Sequence, residues 1–67
     1  MIGITVNGKP RQIEEEGDIA SFLRSLGVDP RTVAVARNGE IIRREQYPAV
    51  MVRAGDVLEV VRMVGGG

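Results

Sequence analysis

The chain has 67 residues, nine of them Lys or Arg and nine Asp or Glu, with neither cysteine nor histidine. At this size it makes one domain with a thin core, burying only about 60% of the surface that its unfolded form exposes. A disulfide scaffold and histidine-based acid/base or metal chemistry are excluded, and a formal net charge of +0 gives no field toward nucleic acid or a membrane surface.

Ile2, Ile4 and Val6 alternate with Gly3 and Thr5, the period-2 pattern of a half-buried strand. The stretch has neither the basic region nor the apolar run of a signal peptide. No segment approaches the roughly 20 apolar residues of a membrane span. The cytoplasm is the expected compartment. Asn7-Gly8 then signals a hairpin, because a type I′ turn needs φ > 0 at both central residues. Pro10 suits an edge strand, since proline cannot donate to a ladder, and Arg11, Gln12 and Ile13 complete a short polar second strand. Glu14-Glu15-Glu16 reads as a solvated strand exit, with a docking surface for a basic partner as the other reading.

Gly17-Asp18 opens a helix, with Asp18 placed to accept from an orphan N–H of the first turn. Ile19, Phe22, Leu23 and Leu26 recur at i, i+3, i+4 and i+7 and make one apolar stripe. Gly27 is placed to end the helix in the left-handed region. So short a helix does not hold alone and must lie on a sheet. Val28 to Arg31 reads as a loop, with Pro30 keeping Asp29 extended. Val33 and Val35 alternate with Ala34 and Ala36 as a third strand. Asn38-Gly39 repeats the hairpin signal, and Glu40-Ile41-Ile42 returns from it. Arg43 to Ala49 reads as an irregular crossover that Tyr47 pins to the core edge. Val50 to Val52 is a short extended piece, Arg53 to Asp56 a turn, and Val57 to Val64 the last and longest strand.

This order predicts an α+β architecture, one helix lying across one face of a mixed four- to five-stranded sheet. Ile2, Ile4, Val6, Val33, Val35, Leu58 and Val60 line the helix side, and the strands that the helix joins run parallel. If Leu58 and Val60 face inward, Val57, Glu59, Val61 and Met63 face the bare side. Three of these four are apolar. A contiguous apolar row there reads as a contact site, so Glu59, Val61 and Met63 are the expected docking residues. Taken alone, Gly65-Gly66-Gly67 reads as a disordered end or a cloning remnant.

Three segments together resemble one family. Ile41 to Tyr47 is similar to its middle segment, in which an aromatic follows Arg-Glu-Gln. Gly55-Asp56-Val57-Leu58-Glu59-Val60 resembles the Gly-Asp turn that launches its last strand. Met63 to Gly67 looks like its hydrophobic strand ending in Gly-Gly. The family is the β-grasp, ubiquitin-like sulfur carriers, specifically the carrier of thiamine biosynthesis that feeds thiazole formation, and the resemblance covers essentially the whole chain. It implies a β-grasp domain over residues 1–64 and a flexible tail over 65–67.

The resemblance also implies a carrier and not an enzyme, with no metal and no stably bound cofactor. An adenylyltransferase of the ubiquitin-activating type would use ATP to adenylate the carboxylate of Gly67, with Gly65 and Gly66 threading its active site. A cysteine-derived persulfide, from a cysteine desulfurase, would then convert Gly67 to a thiocarboxylate, whose sulfur passes to thiazole synthase. Neither nucleic acid nor membrane is a partner. The residues leave three other readings open: a molybdopterin-type sulfur carrier, a ubiquitin-like modifier conjugated through Gly67, and a plain β-grasp interaction domain.

Overall fold

Two Asn-Gly turns frame the sheet. In the computed structural model, which describes residues 1–63, β1 (Ile2–Val6) and β2 (Lys9–Ile13) pair antiparallel across Asn7-Gly8. The φ values of 52° and 80° at these two residues are those that a type I′ turn demands. β4 (Val33–Arg37) and β5 (Glu40–Ile42) repeat the arrangement across Asn38-Gly39, at 52° and 86°. Between the two hairpins lies β7 (Val57–Arg62), parallel to β1 and antiparallel to β4, giving the strand order β2-β1-β7-β4-β5. Both edges are guarded: β2 carries Pro10, and β5 is only three residues long.

The helix α1 (Ile19–Ser25) lies in the crossover from β2 to β4. These strands run in the same direction, as expected, but β1 and β7 separate them in the sheet. Its first N–H groups are all accounted for. Ile19 donates to the carbonyl of Val50 at 2.9 Å and Ala20 to that of Tyr47 at 3.1 Å. Ser21 donates to Asp18 Oδ2 at 2.9 Å, a bond that heads the causes holding the Asp18 carboxyl below its ordinary value. At the other end Gly27, at φ 77°, donates to Arg24 O and Val28 donates to Leu23 O, a Schellman motif.

Segment 43–50 therefore does more than cross over. A 3₁₀ turn (Arg44–Gln46) presents Tyr47 and Val50 to the helix start, and Tyr47 is buried with its hydroxyl donating to Val33 O at 3.3 Å. Beside it, β3 (Gly17–Asp18) pairs with β6 (Met51–Val52) in a second small sheet that the sequence did not announce. Pro30–Thr32, read as loop, closes a single 3₁₀ turn capped by Asp29.

Ile4, Ile19, Phe22, Leu23, Val33, Val35, Tyr47, Val52 and Leu58 form the core with Ala20. Val6, Leu26 and Val60 pack against it from partly buried positions, whereas Ile2 is half-buried and lies outside the cluster.

Among the described residues, one charged group is buried with this core. Asp56, 6% exposed, accepts from Arg37 Nε at 2.9 Å, Asn38 Nδ2 at 3.1 Å and the Arg53 N–H at 2.8 Å. Burial by itself would raise its carboxyl. The three donors and the Arg37 charge outweigh burial and hold it below the ordinary 3.8. A carboxyl that is harder to protonate in the native state contributes stability above its unfolded value, lost as pH falls through the folded one. Stability measured by chemical denaturation should therefore be flat above about pH 5 and decline below about pH 4. Asp56→Ala should cost about 2–3 kcal/mol at pH 7 by leaving those donors unpaired, and its acid decline should be shallower than that of the parent chain.

Candidate functional site

β7 divides its side chains between two tasks. Leu58 is fully buried and Val60 half-buried on the helix side, while Val57, Glu59 and Val61 alternate onto the face that no helix covers. Val57 is 48% exposed and Val61 60%, and Met63, just past the strand, is 41% exposed. The expected docking residues Glu59, Val61 and Met63 thus all lie at the surface, along the strand that leads to the glycines.

Cross-strand register extends this face. Val61 stands opposite Ala34, Glu59 opposite Ala36, and Ala36 opposite Ile41. Alanine on β4 keeps the surface low beside β7, so Val61 on one side and Ile41 on the other stand proud of it. Ile41 is 81% exposed and escaped the sequence reading. The signal was available in the strand's own alternation: if Ile42 turns inward, Ile41 must turn out. Glu59 brings the one charge that β7 presents on this face. The surface is therefore an apolar strip with a single acid near its centre, the composition of a contact site.

The strip runs toward the tail. The Met63 N–H donates to Thr32 O at 2.9 Å, so β4 and the turn before it hold the chain as far as residue 63. Gly65, Gly66 and Gly67, the residues expected to carry the chemistry, lie outside the described residues, as does Val64.

Elsewhere, an open groove of about 570 Å³ separates β2 from α1, lined by Ile13, Phe22 and Val52 together with Glu14, Glu15 and Glu16. None of its lining belongs to β7. Among the described residues, no group of three or more acidic side chains could hold a metal ion, and no helix is long and apolar enough to cross a membrane.

A mixed five-stranded sheet with a parallel central pair, hairpins at both edges and one helix across a single face is the ubiquitin-like β-grasp. The ThiS family model matches residues 4–67, and the chain belongs to that family. The crystal structure of the thiamine biosynthesis protein ThiS from Geobacter metallireducens superposes with a TM-score of 0.87 at 36% identity, covering 98% of this chain and 100% of that one. Sulfur carrier protein ThiS of Bacillus subtilis is 38% identical over 96% of this chain and 98% of its own length. A thiazole synthase of Paramagnetospirillum magneticum is 42% identical over 96% of this chain, which spans only 20% of that relative.

Exposed side chains away from caps and cores change stability little. Val61→Asp and Ile41→Asp should each leave the unfolding free energy within about 0.5 kcal/mol of the parent, read by urea titration. A larger loss would mean that this face is part of the fold's support and not a free surface.

Proposed function

We propose that this chain, a sulfur carrier of the ThiS family in thiamine biosynthesis, carries its sulfur on the C-terminal carboxylate of Gly67 and takes no catalytic part in its loading or discharge. The observation that carries this reading is the bare apolar strip of β7 leading directly to Gly65-Gly66-Gly67. Docking and chemistry are then separated along one strand. The domain (residues 1–64) is held by its partner, and the tail (65–67) is what enters the partner's active site.

The chemistry follows from what a carboxylate can do. It is a poor electrophile and needs a leaving group. An oxygen of Gly67 attacks the α-phosphate of ATP on a ubiquitin-activating-type adenylyltransferase, releasing pyrophosphate and forming an acyl-adenylate. The terminal sulfur of a persulfide, generated from cysteine by a cysteine desulfurase, attacks the acyl carbon and expels AMP. A thiol then cleaves the acyl disulfide, takes the former persulfide carrier as a mixed disulfide, and leaves the thiocarboxylate on Gly67. Its sulfur is a softer nucleophile than the oxygen that it replaces.

Glycine suits this path because it carries no Cβ and passes a slot that other residues would block. Four extended residues after Met63 span about 13 Å, enough to reach a recessed site while Val61 and Met63 remain on the partner's surface. That a thiazole synthase contains a stretch 42% identical to this chain supports such a synthase as the acceptor. The cytoplasm, where ATP and cysteine-derived persulfide are both supplied, is the compartment this reading assigns.

Incubation with the adenylyltransferase, ATP and a persulfide source should raise the intact mass by the exchange of one oxygen for sulfur, located at Gly67. A chain lacking Gly66 and Gly67 should remain unmodified and still bind the enzyme. An unmodified full-length C-terminus, under conditions that load another ThiS protein, would overturn the reading. Val61→Asp should lower kcat/KM for adenylation by about tenfold or more, as expected for a buried interface anchor.

A further inference from the structure

β1 leaves β7 too early. Its backbone pairs with β7 only at Thr5↔Val57 and Val6↔Leu58, after which the chain turns into the first hairpin. The Asn7 N–H makes the last backbone bond, to Leu58 O at 2.9 Å. In a continuing parallel ladder the Asn7 carbonyl would take the Val60 N–H, and the N–H two residues further along β1 would donate to the Val60 carbonyl. Asn7 does both with its side chain. Its Oδ1 accepts from Val60 N at 2.8 Å and its Nδ2 donates to Val60 O at 3.1 Å. The primary amide stands in for both backbone groups and prolongs the β1 ladder while the backbone departs through φ 52°.

We propose that Asn7 is a positioning residue for delivery of the tail. Among the described residues it makes the final attachment of β7 on the β1 side, three residues before Met63. Beyond Val60 the strand is held from the other side alone, through Val33↔Arg62 and the bond from Met63 to Thr32. Two-sided support at Val60 fixes the direction in which β7 leaves the domain. That direction sets the volume that a carboxylate seven residues beyond Val60 can search. Val61, the docking residue, follows directly, so the clamp also fixes the angle between docked face and tail. The inference rests on the carrier reading above.

The molecule supplies its own control. Asn38 occupies the equivalent place in the second Asn-Gly turn and makes similar bonds to β7, donating from its N–H to Val57 O at 2.7 Å and accepting from Val57 N on Oδ1 at 2.8 Å. It adds a bond to Asp56. Asn38 therefore secures the beginning of β7, and Asn7 its end. If these amides serve only stability, removing either should act alike. If Asn7 aims the tail, the two should differ in what they change.

Asn7→Ala and Asn38→Ala are to be compared well below their melting temperatures, by steady-state adenylation and by amide exchange. Asn7→Ala should lower kcat by about tenfold, the scale of a misplaced reacting group, with KM for the carrier within twofold, and should speed exchange at Val61 and Met63. Asn38→Ala should lower Tm at least as far, leaving both kcat and exchange at those two amides as in the parent. Equal losses of kcat in the two variants, or an Asn7→Ala chain with parental kcat and exchange, would overturn the proposal. Should Asn7→Ala not fold, Asn7→Asp keeps the acceptor for Val60 N and loses the donor, and should show the same pattern more weakly. If the parent chain is never adenylated, the carrier reading fails by itself, and exchange at Val61 and Met63 still decides whether Asn7 holds the strand's end.

Discussion

A strand in the middle of a sheet must satisfy its N–H and C=O groups on both sides, and β7 has to do so while both its neighbours turn away from it. β1 ends in a hairpin at Asn7 and β4 in another at Asn38. Asn7 lays both ends of its side-chain amide on Val60, and Asn38 lends β7 its amide oxygen at Val57 while its Nδ2 donates to Asp56. Asn-Gly is thus selected twice over. The backbone needs positive φ at both turn positions, which Asn and Gly tolerate, and the adjoining chain uses a side-chain donor and acceptor together, which Asn supplies at both turns. Asp would supply the acceptor without the donor. Gly would supply the turn without either.

Asp56 extends the same logic into the core. A chain this short has little apolar area with which to stabilise a fold, and it has no disulfide. Asp56 gathers Arg37 from β4, Asn38 from the second turn and the Arg53 N–H from the turn before β7. The residue before the longest strand is in this way tied to the hairpin beside it. No buried side-chain polar atom among the described residues lacks a partner, so the network is complete and carries no orphaned charge to offset its benefit.

Much of this was legible in the sequence wherever the signal was local. Both hairpins, the Asp18 cap, the Gly27 stop, the inward stripe of α1 and the alternation of β7 are written in neighbouring residues, and each appears as read. What escaped was written across the chain. Asn7 contacts Val60 at a separation of 53 residues, which no turn signal encodes. The capping of α1 by Tyr47 and Val50, and the β3–β6 pair beside it, needed the crossover to be placed over the helix start. Ile41 was missed although local alternation carried it: in a strand of three residues that signal rests on the single neighbour Ile42. The docking strip was visible as a break in the polar/apolar pattern of one strand, but its width, set by Ala34 and Ala36, depends on a register that only pairing fixes.

That register joins the structural and functional halves of the molecule. Because alternate residues of a strand face opposite sides, a slip of β7 by one residue would carry Glu59 and Val61 into the core and leave Leu58 and Val60 bare. Core and docking strip would fail in one step. Continuous ladders on both sides would resist such a slip, but the hairpins shorten the β1 ladder to two residue pairs. Side-chain amides at Val57 and Val60 restore the constraint at two points, and the Met63 bond to Thr32 adds a third. On the carrier reading proposed above, the sharpest positional demand falls at the end of this strand. The fold meets it with hydrogen bonds, because only one face of β7 is buried against the core and the other is exposed.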